Sequence, residues 1–411
     1  MRRVEAGASP LASRHRAERA LAIQMVKETD TARLDRLSRR GLLLASAAAA
    51  VAAVSATPKP KRSGHKSSGP KSGNVMLASF ITALEGLALT AAEAAVLKAA
   101  RPCGVILFAR NVADPAQVRR LSNAAREAVG EDILVLIDQE GGRVRRLRPP
   151  HWRELPCAAA YGRLYRDAPA QACRAARLAA QLTAAELRAA GINTNCVPVL
   201  DVPAAGSHDI IGDRAYGADP AQVAALGRAV AEGHMAGGVL PVIKHVPGHG
   251  RASADSHLEL PVVTASRPEL ERTDFAAFRP CAELPAAMTA HVVYEAIDPD
   301  RPASTSPRVI AEVIRSAIGF DGLLMSDDLG MQALSGSMAE RTEAVLAAGC
   351  DVALVCSGDL ADSEAAACVA PPLGGAALRR YERACAILQQ SEPFEMAEAE
   401  QCLAQALRVN A

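Results

Sequence analysis

Near the middle of the chain the run K-H-V-P-G-H-G-R-A-S-A-D-S-H, residues 244–257, gathers Lys244, His245, His249, Asp255 and His257. It follows directly on the apolar stretch 238–243. An apolar strand entering a loop broken by Gly and Pro is how a parallel α/β protein presents reactive groups at the carboxyl end of its sheet. Buried structural histidines occur singly, so three of them with a Lys and an Asp in one loop point to a site. His257, with Asp255 two residues before it, can give a proton and take it back. The carboxylate would orient the imidazole and stabilise its charged form.

Other polar groups stand where other apolar runs end. Asp138 opens D-Q-E-G-G-R-V, with Arg143 and Arg146 close behind it. Asp201 and Arg214 follow a fourth run, His291 a sixth, and Ser326, Asp327 and Asp328 a seventh. Carboxylates with Arg and Lys donors suit a polyhydroxylated substrate, whose hydroxyls donate and accept in fixed directions. A carboxylate opposite a proton donor is the minimum for glycoside hydrolysis. In the retaining route the carboxylate attacks the anomeric carbon, and the acid that protonates the leaving oxygen then serves as base for water.

These groups can share a pocket only if the strands before them end on one rim. Short β-branched or Leu-rich runs lie at 75–77, 104–108, 133–137, 194–199, 239–243, 286–289, 322–325 and 352–355. Helix-period stretches separate them at 115–129, 169–190, 220–236 and 338–348. Eight strands alternating with helices predict a single catalytic domain of the α/β class, a closed (β/α)8 TIM-type barrel. The rival doubly wound sheet needs a G-x-G-x-x-G turn after its first strand, and none follows 75–77.

The net charge of +1 over 411 residues hides an asymmetry. Residues 1–74 hold fifteen Lys/Arg against five Asp/Glu, a net of +10, and the rest hold 31 against 40, a net of −9. An acidic main domain argues against nucleic acid as a partner. The basic end reads as targeting. Ser38-Arg39-Arg40-Gly41 followed by Leu42, Leu43 and Leu44 has the form of a twin-arginine export signal, and the Ala-rich run to Ala56 is too short for a stable membrane span. The division is then 1–56 as an extension with the signal, 57–74 as a basic linker, and 75–411 as the catalytic domain. Export to the periplasm is the expectation, and a cytoplasmic location the alternative if the segment is no working signal. Met25, nearer the arginine pair, is a second possible start. The ten cysteines are scattered without a C-x-x-C, which favours buried small hydrophobes over a zinc or disulfide framework.

With these residues in place, the chain resembles the bacterial β-N-acetylhexosaminidases of glycoside hydrolase family 3. The likeness covers nearly all of 75–411 and rests on G-V-I-L-F-A-R-N (104–111), D-Q-E-G-G-R-V (138–144), K-H-V-P-G-H-G (244–250), A-D-S-H (254–257) and S-D-D-L-G-M (326–331). It is nearest the single-domain Gram-negative type that recycles cell-wall sugars. The resemblance implies that Asp327 is the nucleophile, His257 the general acid/base and Asp255 its partner. It further implies that Asp138, Arg146, Arg214, Lys244 and His245 hold the N-acetylglucosamine of a muropeptide, and that Asp328 is the weaker nucleophile candidate. A monomer without cofactor or metal is expected. Two features depart from the family: the export segment, and A-S-F in the first strand where a polar or acidic residue is common.

Four other readings stay open. The same site could cleave chitooligosaccharides. A neutral His in place of a carboxylate acid/base would admit phosphate and make a phosphorylase. His245, His249, His257, His291 and Asp255 could be ligands of a metal-dependent barrel hydrolase, although the first strand lacks an H-x-H and Lys244 would repel a dication. A non-catalytic wall-binding protein on the same scaffold would be expected to lose Asp327 or His257.

Overall fold

A computed structural model of the chain describes residues 76–206, 209–252, 256, 259–390 and 392–408. The strands are β1 (Ala78–Ala83), β2 (Pro102–Leu107), β3 (Leu134–Ile137), β4 (Thr194–Asn195), β5 (Leu240–Pro241), β6 (Ile243–Val246), β7 (Val262–Val263), β8 (Ala286–Thr289), β9 (Val293–Tyr294), β10 (Asp298–Pro302), β11 (Leu323–Asp328) and β12 (Val352–Val355). Nine of them form one parallel sheet in the order β5-β4-β3-β2-β1-β12-β11-β8-β6. The two ends of that order are pieces of a single run, since only Val242 separates β5 from β6. β5 pairs with β4 through Thr194↔Leu240, and β6 pairs with β8 through Ile243↔Ala287. Residues 240–246 are therefore the stave that closes an eight-stranded barrel, and closure leaves no sheet edge exposed.

Successive side chains of a strand point to opposite faces, and the core divides accordingly. Leu134 and Leu136 join Ile81, Ile106, Leu240, Val242, Met288, Met325 and Leu354 in the cluster that fills the barrel. Val135 and Ile137 instead pack outward with Val118, Leu121 and Ala125.

The helices are α1 (Ala91–Ala100), α2 (Pro115–Val129), α3 (Ala158–Asp167), α4 (Pro169–Ala189), α5 (Pro220–Ala236), α6 (Arg267–Arg272), α7 (Asp274–Phe278), α8 (Met338–Ala348), α9 (Leu360–Val369), α10 (Gly375–Ala386) and α11 (Met396–Arg408), with a π-helix at Val309–Ala317. Their starts are written locally. Asp114 accepts the Gln117 N–H just before Pro115, and Thr90 and Ser337 form capping boxes with Glu93 and Glu340. None of the described helices is long and apolar enough to cross a membrane.

The expected bounds of α2, α5 and α8 are those observed, and α4 is one residue shorter than expected. The first strand is displaced: it spans Ala78–Ala83, residues 76–77 precede it, 75 lies outside the described residues, and all six residues of the strand are buried. Pairing sets its position, through Ile81↔Gly104 and Phe80↔Ala353, so Ala, Ser and Thr serve as well as Val and Leu would. The fourth strand ends at Asn195, with Val199 returning to the sheet through an isolated bridge to Lys244. Pro198 has no N–H to give to a continuous ladder. The cysteines also depart from expectation. All ten are free, but four are buried, five half-buried, and Cys402 is exposed.

Helices α4 and α5 approach closely because Gly233 has no side chain. A Cβ there would lie 2.4 Å from the Arg177 carbonyl oxygen and 2.7 Å from the Ala180 Cβ. Gly233→Ala should therefore destabilise the protein by about 1–3 kcal/mol through overpacking, although Ala in a helix is otherwise favoured over Gly by ~1 kcal/mol. Urea unfolding checks this. Stability equal to or above the parent would mean that the helices are not in contact at this point.

Candidate active site

The carboxyl ends of the barrel strands surround a cavity of about 260 Å³. Asp138 stands just past β3, Lys244 and His245 on β6, Asp327 and Asp328 at the end of β11, and Cys356 just past β12. Arg146 enters from the loop after β3, and Arg214 from a short 3-10 turn, Gly212–Arg214. Asp138, Arg146, Arg214, Lys244, His245 and Asp327, six of the residues expected at the site, line this one cavity with Phe108, Met288 and Leu354. Asp255 and His257 lie outside the described residues.

Charges of alternating sign form its wall. The Lys244 ammonium, 3% exposed, donates to Asp138 Oδ1 at 2.8 Å and reaches Glu140 Oε1 at 2.8 Å. Arg146 Nη2 donates to the other Asp138 oxygen at 3.0 Å, and its guanidinium lies 5.5 Å from the centre of the Phe108 ring. Arg214 grips Glu140 with two bonds of 2.8 Å, the fork geometry that suits a carboxylate. Burial alone would raise the pKa of Asp138, yet Lys244 and Arg146 hold its carboxyl well below the ordinary range. Glu140 is likewise desolvated, and Lys244 and Arg214 bring it to about 2. Burial would strip the Lys244 proton, but the same two carboxylates push its pKa above the usual lysine value.

A second set of contacts fixes the histidines. Asp201, fully buried, accepts the His245 Nδ1–H at 2.7 Å and the backbone N–H groups of His245 and His249 at 3.2 and 2.7 Å. Burial opposes its charge, but these donors lower its pKa to about 2. His245 thereby keeps its other ring nitrogen for the cavity. His291 is buried, which lowers its pKa; its Nε2–H donates to the Asp328 carbonyl at 2.9 Å, and its Nδ1 lies 2.7 Å from the Ser304 hydroxyl.

The adjacent carboxyls Asp327 and Asp328 have different surroundings. Asp327 is buried, yet its pKa is lowered because His245, His291, the Asp328 N–H and Lys244 all favour the anion. Its Oδ1 accepts that N–H at 2.8 Å, and among the described residues none donates to its Oδ2. Asp328 has its pKa raised, chiefly by burial. Its Oδ1 accepts from the backbone of Gly330 and of Cys356, each at 2.9 Å, so it ties the end of β11 to the end of β12. Among the described residues no three His, Cys, Asp or Glu side chains converge as a metal ion would require.

Sequence reasoning passed over Glu140 and gave Asp201 no role. Glu140 carried a signal, as an acidic residue inside the D-Q-E-G-G-R turn beside Asp138. Asp201 had a weaker one, a lone Asp after an apolar run, and its partners lie more than forty positions away.

A closed parallel barrel with a cavity walled by buried, paired charges at its carboxyl rim has the architecture of a (β/α)8 enzyme. The family model for the glycosyl hydrolase family 3 N terminal domain matches residues 72–370. A β-hexosaminidase of Alkalilimnicola ehrlichii is 41% identical over 287 residues, 69% of this chain and 82% of the relative. The solved NagZ of Neisseria gonorrhoeae, in complex with N-trifluoroacetyl-D-glucosamine, superposes with a TM-score of 0.71 at 30% identity, covering 82% of this chain and 99% of its own. A family 3 β-N-acetylglucosaminidase from Paenibacillus sp. superposes with a TM-score of 0.67 at 31% identity, over 81% of this chain; the chain spans 62% of that protein's length. The protein belongs to glycosyl hydrolase family 3.

The charged wall makes two expectations. Glu140 and Asp201 have folded pKa values of about 2, below the ordinary ~4.3 and ~3.9 of unfolded Glu and Asp. The stability they contribute is complete above those unfolded values and is lost as pH falls through 4 towards 2. Lys244→Met takes from two buried carboxylates the cation they share and leaves each with one guanidinium, so it should cost about 1.5–3 kcal/mol near neutral pH. Urea unfolding of parent and variant against pH measures both. The deficit should narrow towards pH 4, where the carboxyls that have lost Lys244 take up protons, and a pH-independent deficit would exclude the charge account.

Proposed function

We propose that the protein is a retaining exo-β-N-acetylglucosaminidase that releases terminal N-acetylglucosamine from peptidoglycan fragments. The observation that carries this reading is Asp327, a buried carboxylate kept anionic, with one oxygen fixed by the Asp328 N–H and facing the same cavity as Asp138, Lys244, Arg146 and Arg214. The fixed oxygen sets the orientation, and the other attacks the anomeric carbon. As the glycosidic bond breaks, the leaving oxygen takes a proton from His257, and a glycosyl ester forms on Asp327. Water then attacks the same carbon, His257 takes the water proton, and the Asp327 carboxylate is released. Asp255 would hold the His257 ring and stabilise its charged form. Asp138, Arg146, Arg214, Lys244 and His245 would bind the sugar, with Glu140 setting the geometry of Lys244 and Arg214. Asp328, held by two backbone amides, is assigned to the loop and not to attack.

Support for peptidoglycan fragments over chitooligosaccharides comes from the sequence likeness to the recycling type. The basic extension supports export through the twin-arginine route to the periplasm, where the enzyme would act as a monomer on wall fragments.

Asp327→Asn should lower kcat at least ~10³-fold on the 4-nitrophenyl N-acetyl-β-glucosaminide with the fold intact by circular dichroism, since the nucleophile is lost. Substantial remaining turnover would remove Asp327 from that role. His257→Ala should harm substrates with poor leaving groups ~10²-fold or more beyond aryl glycosides, since only the former need protonation. Equal losses on both would count against the acid role. Turnover should survive EDTA, and a sugar 1-phosphate product in added phosphate would identify a phosphorylase instead.

Replacing Arg39 and Arg40 together by Lys should leave the full-length protein in the cytoplasm, where the parent chain is recovered from the periplasm. Equal distribution of the two on cell fractionation would end the export reading.

A further inference from the structure

Ser256 stands in the chain between Asp255 and His257, and it is anchored to a fixed part of the barrel rim. Its Oγ lies 3.1 Å from His249 Nε2, and it is 3% exposed although no helix or strand contains it. Three restraints hold the anchor itself. The His249 backbone N–H donates to Asp201 at 2.7 Å. The Tyr294 hydroxyl donates to the Gly248 carbonyl. Gly250 lies so close to Val202 that a Cβ would come within 2.1 Å of the Val202 carbonyl oxygen. The V-P-G-H-G turn therefore has little room to move.

The hydrogen bond has a preferred sense. Burial lowers the His249 pKa to about 4, so the ring is neutral near pH 7. Its Nδ1 is buried and has no partner among the described residues. A buried N–H left unpaired is the rarer situation, which places the proton on Nε2. Nε2–H then donates to Ser256 Oγ, and the hydroxyl keeps its own proton free for the cavity that both residues line.

We propose that Ser256, held by His249, is a positioning residue for proton transfer to the leaving group. The proposal rests on the glycosidase reading above and names a device that reading does not contain. Consecutive Cα atoms are ~3.8 Å apart across a trans peptide, so fixing Ser256 restrains the backbone of its two neighbours, the proposed acid/base and its partner. A misplacement of ~1 Å at a reacting group can reduce a rate ~10²-fold. An anchor at this point therefore acts on the protonation step and leaves Asp327 untouched.

The test compares kcat/KM for two substrates, N,N′-diacetylchitobiose and the 2,4-dinitrophenyl N-acetyl-β-glucosaminide. Formation of the glycosyl-enzyme needs an acid in the first and none in the second. Ser256→Ala should lower the disaccharide value ~10-fold or more and leave the dinitrophenyl value within ~2-fold. Ser256→Thr, which keeps the hydroxyl, should retain the parent ratio. In the double variant, His249→Phe added to Ser256→Ala should cause no further change in that ratio, because both remove the same contact. Equal losses on the two substrates, a Thr variant as poor as Ala, or multiplying losses in the double variant would each overturn the proposal while the glycosidase reading stands. A parent enzyme inactive on both substrates would overturn that reading and this proposal with it.

Discussion

The site is organised around one buried ammonium. Lys244 sits between Asp138 and Glu140, and each of those carboxylates meets a guanidinium on its far side, giving the series Arg146–Asp138–Lys244–Glu140–Arg214. Removing each ion from water costs several kcal/mol, and mutual attraction offsets this only where geometry is good and the remaining donors are satisfied. Alternation of sign supplies the attraction, although the Arg146 Nε is buried without a hydrogen-bond partner among the described residues. The series leaves one excess positive charge beside Asp327. Such a network is poor as a source of net stability. Its value is that Asp138, Lys244 and Glu140 are each held by two others, so groups that must meet a sugar are in place before it arrives.

The same economy separates two neighbouring carboxyls. Asp327 and Asp328 have identical chemistry and one peptide between them, yet their surroundings shift their pKa values in opposite directions. Cationic and donor groups favour the anion at Asp327, whereas burial dominates at Asp328 despite its two backbone amides. Environments that push paired carboxyls apart are how one site assigns two roles to one residue type. Here one carboxyl faces the cavity with an oxygen to spare, and the other joins two strand ends.

Much of this was legible in the chain before any coordinates. Short β-branched or Leu-rich runs ending in polar residues and alternating with helix-period stretches pointed to the barrel, and the bounds of α2, α5 and α8 matched to the residue. Asp138, Lys244, His245 and Asp327 stand at or just past the ends of apolar runs, whereas Arg146 and Arg214 lie further along their loops and were assigned through the family likeness. Illegible parts were those set by distant partners. The register of β1 depends on strands β2 and β12, so its Ala and Ser residues carried no local signal. Asp201 gained its importance from His245 and His249, which no spacing rule connects to it. The short sheet of β7, β9 and β10 pairs segments of two to five residues, too short to show a period. Family likeness supplied the roles of Asp327, His257 and Asp255; composition and spacing had narrowed the choice without making it.

The run 240–246 closes the barrel and also carries Lys244 and His245, so the seam of the fold and the floor of the site are the same piece of chain. A species in which this stave has slipped or parted would keep nearly all its helices and most of its sheet. It would nonetheless have no network, because Asp138 and Glu140 would face each other without their shared cation. Under mild denaturant or heat, loss of function should therefore run ahead of loss of secondary structure. Ligand bound across the seam would act as a clasp on the cylinder, slowing the opening motions that expose it to proteases.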